Sequence, residues 1–275
     1  MSRLLSADFS KLKKNKLFLI CLVGMFLLGL FLKITDCINA GQSQPILRSM
    51  LFTYVLIIGF LIAALDSLFV GTEYSDGTIR NKLIVGHKRE SIYLSNLITC
   101  SAGGVLLCLS YFVPALIVGI PFCGIESGDL KTIFLVLLGS LFMSLAFTSL
   151  CTMAGMLFQN KAHTAILTIL GVCFFFVVSI YITGQLNISE TIPTVIQNGN
   201  EIVKDVGTEL NPAYVGGVKR AVYQFLNDVL PTSQAITFWM SSYDATSVFL
   251  SLYSVGVIIV TTVIGVCVFK KRDIK

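Results

Sequence analysis

From Ser91 to Ile125 the chain runs without one charged residue. That stretch exceeds the roughly 20 apolar residues a helix needs to cross a bilayer. Five more apolar runs accompany it: Leu17 to Leu32, Ser49 to Leu65 (continuing past Asp66 to Val70), and runs within Thr132 to Asn160, Thr164 to Ile188 and Ala245 to Phe269. Pro114 is expected to kink or end the straight part of the third span. The reading is an all-α membrane protein of six spans, a single transmembrane domain over residues 1–275.

Composition agrees. Charged residues make up 13% of the chain, about half the ~25% of soluble domains, and the mean hydropathy is +0.84. Too few charges remain to coat a soluble enzyme of this size. A disordered chain is excluded as well, because it would need low hydrophobicity.

Six spans bring both termini to one face. That face would carry Arg3, Lys11, Lys13, Lys14 and Lys16, then Arg80, Lys82, Lys88 and Arg89, then Lys161, and finally Lys270, Lys271, Arg272 and Lys275. The other side is left with Lys33, Arg48, Lys131, Lys204, Lys219 and Arg220. The positive-inside rule makes the richer face cytoplasmic. The first run is followed by Ile34-Thr35-Asp36 instead of a small-x-small cleavage site, and Asp36 before Cys37 argues against a lipoprotein, so an uncleaved span is expected.

Three segments lie outside the spans. Residues 1–16 read as an interfacial amphipathic helix, with Leu4, Leu5, Phe9 and Leu12 on its apolar side. Residues 71–90 mix acids with bases around Ile79, Leu83 and Ile84 at helical spacing. Alone they fit either a solvated loop or a helix lying on a soluble partner. Residues 189–244 hold a helix signal, with Asn211 to cap it, Pro212 in its first turn and a stripe of Val215, Val218, Val222, Phe225, Leu226 and Val229. A charge-free stretch with Trp239 follows. An outer interfacial or partly re-entrant position suits this segment, and so does a small extracytoplasmic cap.

Catalytic motifs are missing. The chain has no Gly-Lys dipeptide and hence no phosphate loop of its own. HExxH and GxSxG are absent. Eight cysteines include no CxxC, so no metal site is expected. Cys37 and Cys123, near the outer ends of spans, are open to a disulfide. Inside the spans only Lys33 and Asp66 are ionisable. Lys33 can snorkel to the headgroups, and Asp66 either pairs with a neighbouring helix or sits in headgroup water. Such a chain is a passive pore, a structural protein or a subunit powered by a partner.

The segment Phe69-Val-Gly-Thr-Glu73-Tyr74-Ser-Asp76-Gly77-Thr78-Ile79-Arg80-Asn-Lys82-Leu83 narrows this. It resembles the motif after the second span of ABC-2 type permeases, the membrane subunits of ATP-binding-cassette exporters: a Phe, a Glu, then Gly-Thr-Leu/Ile-Lys/Arg. Gly86 to Arg89 matches a Gly-x-x-Arg element before the third span. The resemblance covers the layout of the whole chain. It implies an amino-terminal elbow helix and a coupling helix that docks on the ATPase through Phe69, Glu73, Tyr74, Asp76, Gly77, Thr78, Ile79, Arg80, Lys82 and Leu83. Thr78 would cap that helix, and Glu73, Asp76, Arg80 and Lys82 would offer ion pairs to the partner. By position, the segment from Asn211 to Trp239 would correspond to short outer helices between spans five and six.

The resemblance further implies two ABC ATPase subunits holding ATP and Mg, a second permease, identical or related, and a bacterial cytoplasmic membrane with both termini inside. No cofactor is expected on this chain and no nucleic acid among its partners. The apolar spans, with scattered Tyr54, Thr168 and Ser179 as a substrate path, suit an amphipathic peptide of antimicrobial, bacteriocin or toxin type, exported or given immunity against. A hydrophobic drug or lipid is the second choice, and a non-transporting immunity or channel protein the competing class.

Overall fold

The computed structural model describes residues 1–39, 47, 50–124, 129–158, 160–198, 201–240 and 247–272. The helices are α1 (Ser2–Lys14), α2 (Lys16–Asn39), α3 (Val55–Ser75), α4 (Thr78–Ile84), α5 (Arg89–Cys123), α6 (Asp129–Leu157), α7 (Lys161–Leu186), α8 (Gly217–Val229), α9 (Pro231–Met240) and α10 (Ser247–Lys271). Six of them, α2, α3, α5, α6, α7 and α10, are long and apolar enough to cross a membrane. The expected starts of the second and sixth spans, Ser49 and Ala245, the end of the third at Ile125 and the charges of Arg48 and Lys275 lie outside the described residues.

Polar residues punctuate the helices. Asn15 separates α1 from α2, and its Oδ1 accepts from the backbone N–H of Leu17 (2.9 Å) and Phe18 (3.3 Å). Asn160 does the same for α7, accepting from Ala162 at 3.0 Å. Both satisfy donors that a helix start leaves orphaned. α5 runs through Pro114 and Pro121 without ending, so Pro114 does not stop the third span. At 1.5 Å per residue its length is about 50 Å, well beyond the ~30 Å hydrocarbon core.

The spans alternate in direction. One end of the bundle holds α1, α4, the starts of α5 and α7 and the close of α10; this is the basic end. There Arg89 donates to the carbonyls of Phe269 (3.2 Å) and Lys270 (3.2 Å) and to that of Arg272. A guanidinium thus closes the last turn of α10, where carbonyls lack partners and the helix dipole is negative. Glu90 pairs with Lys270 beside it.

Helix crossings are close because glycine permits it. A Cβ on Gly29 in α2 would strike the backbone oxygen of Tyr111 in α5, and one on Gly265 in α10 would strike the Tyr93 ring of α5. Small residues let helix backbones approach where lipid supplies no hydrophobic drive. Lys33 departs from expectation. It does not snorkel: it is wholly buried, donating to Asp36 (2.8 Å) and the Leu47 carbonyl (3.2 Å). Its stem packs on α5 at Gly119, so a paired charge at the helix end replaces a solvated one. Nearby, Cys37 and Cys123 meet as free thiols within hydrogen-bonding reach.

Between α7 and α8 an antiparallel hairpin was not anticipated: β1 (Thr191–Asn198) and β2 (Glu201–Leu210), with Thr191 opposite Leu210 and a register shift at Thr194/Val195. The β-branched run Thr191, Ile192, Thr194, Val195, Ile196 favours it. Asn211 does not cap a helix. Its amide donates to Ser189 (3.2 Å), and its Oδ1 accepts from Ala213 (3.0 Å) in a turn. α8 starts six positions later, at Gly217, and Pro231 opens α9 as a first-turn residue.

Candidate functional site

At the basic end, α3 continues to Ser75, so Phe69, Glu73 and Tyr74 are helical residues of a span. The chain then reverses at Gly77, whose φ of +67° is the left-handed conformation glycine adopts freely. Gly77 is itself the N-cap of α4. Thr78 is the first helical residue and makes no capping bond, contrary to expectation.

Glu73 and Lys82 do not face outward. Glu73 is fully buried. Its carboxylate accepts from Lys82 Nζ at 2.9 and 3.1 Å, from Asn96 Nδ2 at 2.8 Å and from Lys11 Nζ at 3.5 Å. Lys82 also donates to Asp8 Oδ1 at 2.8 Å, and the other Asp8 oxygen accepts from Ser95 Oγ at 2.6 Å. Four helices, α1, α3, α4 and α5, therefore meet on one charged cluster. A carboxylate removed from water needs this many donors to remain buried. Glu73 and Lys82 thus pair within the chain instead of offering ion pairs to a partner.

The other motif residues split by face. Phe69 is buried beneath Lys11, whose ammonium sits 4.9 Å from the ring centroid. Tyr74 Oη donates to the Met156 carbonyl of α6 at 2.8 Å. Ile79 is buried and Leu83 half-buried. Asp76 and Arg80 are exposed, and Ile84 and Val85 stand 74% and 75% exposed at the end of α4. An outward face of one acid, one base and two large apolar side chains is left without a cover.

Asp8, Lys11, Ser95 and Asn96 escaped the sequence reading. Asp8 had a signal. Leu4, Asp8 and Leu12 recur every fourth residue, so they share one helix face, and all three are buried. An acid on an apolar stripe requires a partner.

The expected substrate-path residues make hydrogen bonds between helices, and Thr168 also lines the apolar cavity between α6, α7, α9 and α10. Tyr54 Oη and Ser140 Oγ are 2.6 Å apart, with Tyr54 fully buried. Thr168 Oγ1 contacts the carbonyls of Thr164 (2.9 Å) and Ala63 (3.3 Å). Ser179 Oγ lies 2.6 Å from Thr232 Oγ1 and accepts from Ser233 at 2.8 Å. Asp66 is buried near Cys100, and its Oδ2 has no partner among the described residues.

Ser179 shows where the segment after the hairpin goes. α8 and α9 form a helical pair whose turn packs along α7, for Thr232 Oγ1 donates to the Phe175 carbonyl at 3.2 Å. Phe175 lies eleven positions before the end of α7, about 16 Å along the helix. Gln234 secures the turn, donating to the carbonyls of Asp228 (2.6 Å) and Leu250 (3.3 Å) and accepting from Ser254 (2.6 Å). Irregular backbone at such depth survives only when its polar groups are satisfied by protein.

Two cavities flank the α8–α9 pair. One, of about 310 Å³, lies between α6, α7, α9 and α10 against Phe147, Cys151, Leu167, Gly171, Phe175 and Pro231, and is almost wholly apolar. The other, of about 520 Å³, is lined by Gln224, Asn227, Asp228 and Thr237 together with Phe249, Leu250, Leu252 and Tyr253. Burial raises the pKa of the Asp228 carboxyl above the usual range, partly offset by a hydrogen bond from Asn227.

No curated protein matches the chain significantly. The family model described as "ABC-2 family transporter protein" matches residues 4–196, the stretch holding α1, the five spans α2, α3, α5, α6 and α7, and the charged cluster at the basic end. Six apolar helices and this match make the chain a multi-pass membrane protein, and it belongs to the ABC-2 family of transporter membrane subunits.

Proposed function

We propose that this chain is the permease subunit of an ATP-driven exporter, with ATP and Mg held on a separate ABC ATPase present in two copies and a second permease completing the path. The basic end is cytoplasmic by charge bias. α4 is the coupling helix and α1 the elbow helix. The observation that carries this reading is the two-sided character of α4. Its inner face is clamped by Lys82 to α1 and α3, while Asp76, Arg80, Ile84 and Val85 stay uncovered. Exposed apolar side chains rimmed by charge mark a protein contact. A push on α4 reaches α3 and α5 through Glu73 and Asn96 without passing through a flexible link.

The cargo we favour is an amphipathic peptide. The polar α8–α9 turn beside apolar walls offers surfaces for both of its faces. A hydrophobic drug or lipid is the second reading, favoured by the apolar 310 Å³ cavity.

The test is co-expression of the tagged chain with candidate ABC ATPases, gentle detergent extraction and an ATPase assay. A stoichiometric ATPase should co-purify and be lost with Arg80→Glu or Ile84→Asp, while Lys13→Glu, on the exposed side of α1, keeps it. Recovery of the chain alone overturns the assignment and points to a non-transporting membrane protein; recovery of the ATPase with every variant overturns α4 as the docking face.

A further inference from the structure

The 520 Å³ cavity between α8, α9 and α10 is not used by the coupling described above. Leu250 is buried at its base, Phe249 and Leu252 stand mostly exposed along its edge, and its polar wall is Gln224, Asn227, Asp228 and Thr237. Asp228 has no cation partner among the described residues. Its neighbour Asn227 is fixed by Thr183 Oγ1, which donates to Asn227 Oδ1 at 3.2 Å. The Asp228 carbonyl is engaged by Gln234, so the backbone of this acid is locked on the α9 side. A half-buried carboxylate held beside apolar walls is costly without a counter-charge. Burial already raises its pKa; a cation brought beside it would reverse that shift.

We propose that this cavity binds the cationic group of an amphipathic molecule, an ammonium or guanidinium on an apolar body, with Asp228 as its counter-charge. This deepens the cargo reading above and rests on it. The apolar body lies along Phe249, Leu252 and Tyr253. The position, at the bundle end opposite the termini, makes this a late station on an outward path. An aminolipid headgroup carries the same chemistry as a cationic cargo.

The full-length chain in phosphatidylcholine nanodiscs is titrated with a fluorescent dodecylammonium probe and with its neutral alcohol analogue. The wild-type chain should bind the charged probe about fivefold more tightly, the worth of an ion pair of about 1 kcal/mol. Asp228→Asn should bring the two probes level while leaving the neutral probe unchanged, which also shows the cavity intact, and Asp228→Glu should keep most of the preference. Repeating the titration with phosphatidylethanolamine in the disc separates the sources. Competition identifies an aminolipid occupant, its absence a separate cargo, and both support the site. Equal binding of the two probes by the wild-type chain overturns the proposal even if the variant does not fold, as does a preference that survives Asp228→Asn. The assay needs no ATPase: loss of the ATPase partnership with the charge preference intact would sink the transport reading alone.

Discussion

Lys82 in α4 donates to both carboxylate oxygens of Glu73 in α3, at 2.9 and 3.1 Å, and so fastens a surface helix to a membrane span. Lys82 is about one-tenth exposed and Glu73 is not exposed at all. Removing one partner strands a charge that the fold has taken out of water. Lys82→Met should cost roughly 3 kcal/mol and lower the thermal unfolding temperature of the detergent-solubilised chain. Lys11→Met should cost under about 1 kcal/mol, because Lys11 is a third exposed and 3.5 Å away. Equal shifts for the two variants would contradict this ranking. The same geometry makes Glu73→Lys a poor probe of partner docking, since it would bury a cation between Lys82 and Lys11.

Gly77 carries the reversal between α3 and α4. Nothing lies within 4 Å of where its Cβ would be, yet its φ is +67°. The penalty of substitution is therefore purely conformational, about 1–2 kcal/mol for an ordinary residue and less for Asn. Gly77→Val should destabilise α4 and reduce ATPase co-purification, while Gly77→Asn retains it. Thermal unfolding and pull-down of the same preparations would check both, and equal behaviour of the two variants would rule out a backbone origin.

Gly29 and Gly24 sit on the same helix with opposite surroundings. A Cβ on Gly29 meets the Tyr111 backbone, which cannot move aside, whereas Gly24 has nothing within 4 Å. Gly29→Ala should cost about 3 kcal/mol by overpacking and shift the thermal midpoint down. Gly24→Ala should leave it unchanged or raise it slightly. Similar midpoints for the two variants would mean that α2 and α5 do not cross at Gly29.

The free thiols of Cys37 and Cys123 join the far ends of α2 and α5. Mild oxidation should form a disulfide between them, since the two thiols already lie within hydrogen-bonding reach. Thiol counting with a maleimide polymer would show two sites protected by oxidant and restored by reductant. Cys37→Ser should abolish protection of Cys123; protection that persists would place the pairing elsewhere.

Much of this fold was legible in sequence. Six charge-free runs define six spans because lipid forces each backbone to satisfy itself as a helix. The amphipathic start and the apolar stripe of α8 follow from local periodicity. The family followed from Phe69, Glu73 and Gly77 to Arg80 read together. Polar residues were harder to place. Tyr54 and Ser179 could be lining or packing residues by sequence, and only their partners, Ser140 and Thr232, show that they pack.

What the sequence determined by itself was therefore the solvent, the number of crossings and the charge bias of the two ends, all properties that sum over neighbouring residues. What the tertiary structure decided was which charges face inward. Asp8, Glu73 and Lys82 are separated by 65 and 9 positions, and no local pattern tells a carboxylate in water from one held by two lysines and an asparagine. The same holds for Lys33, drawn in by Asp36 and Leu47, and for the depth of the α8–α9 turn. A buried charge is stable only through partners brought from distant segments, so its placement is a property of the folded chain.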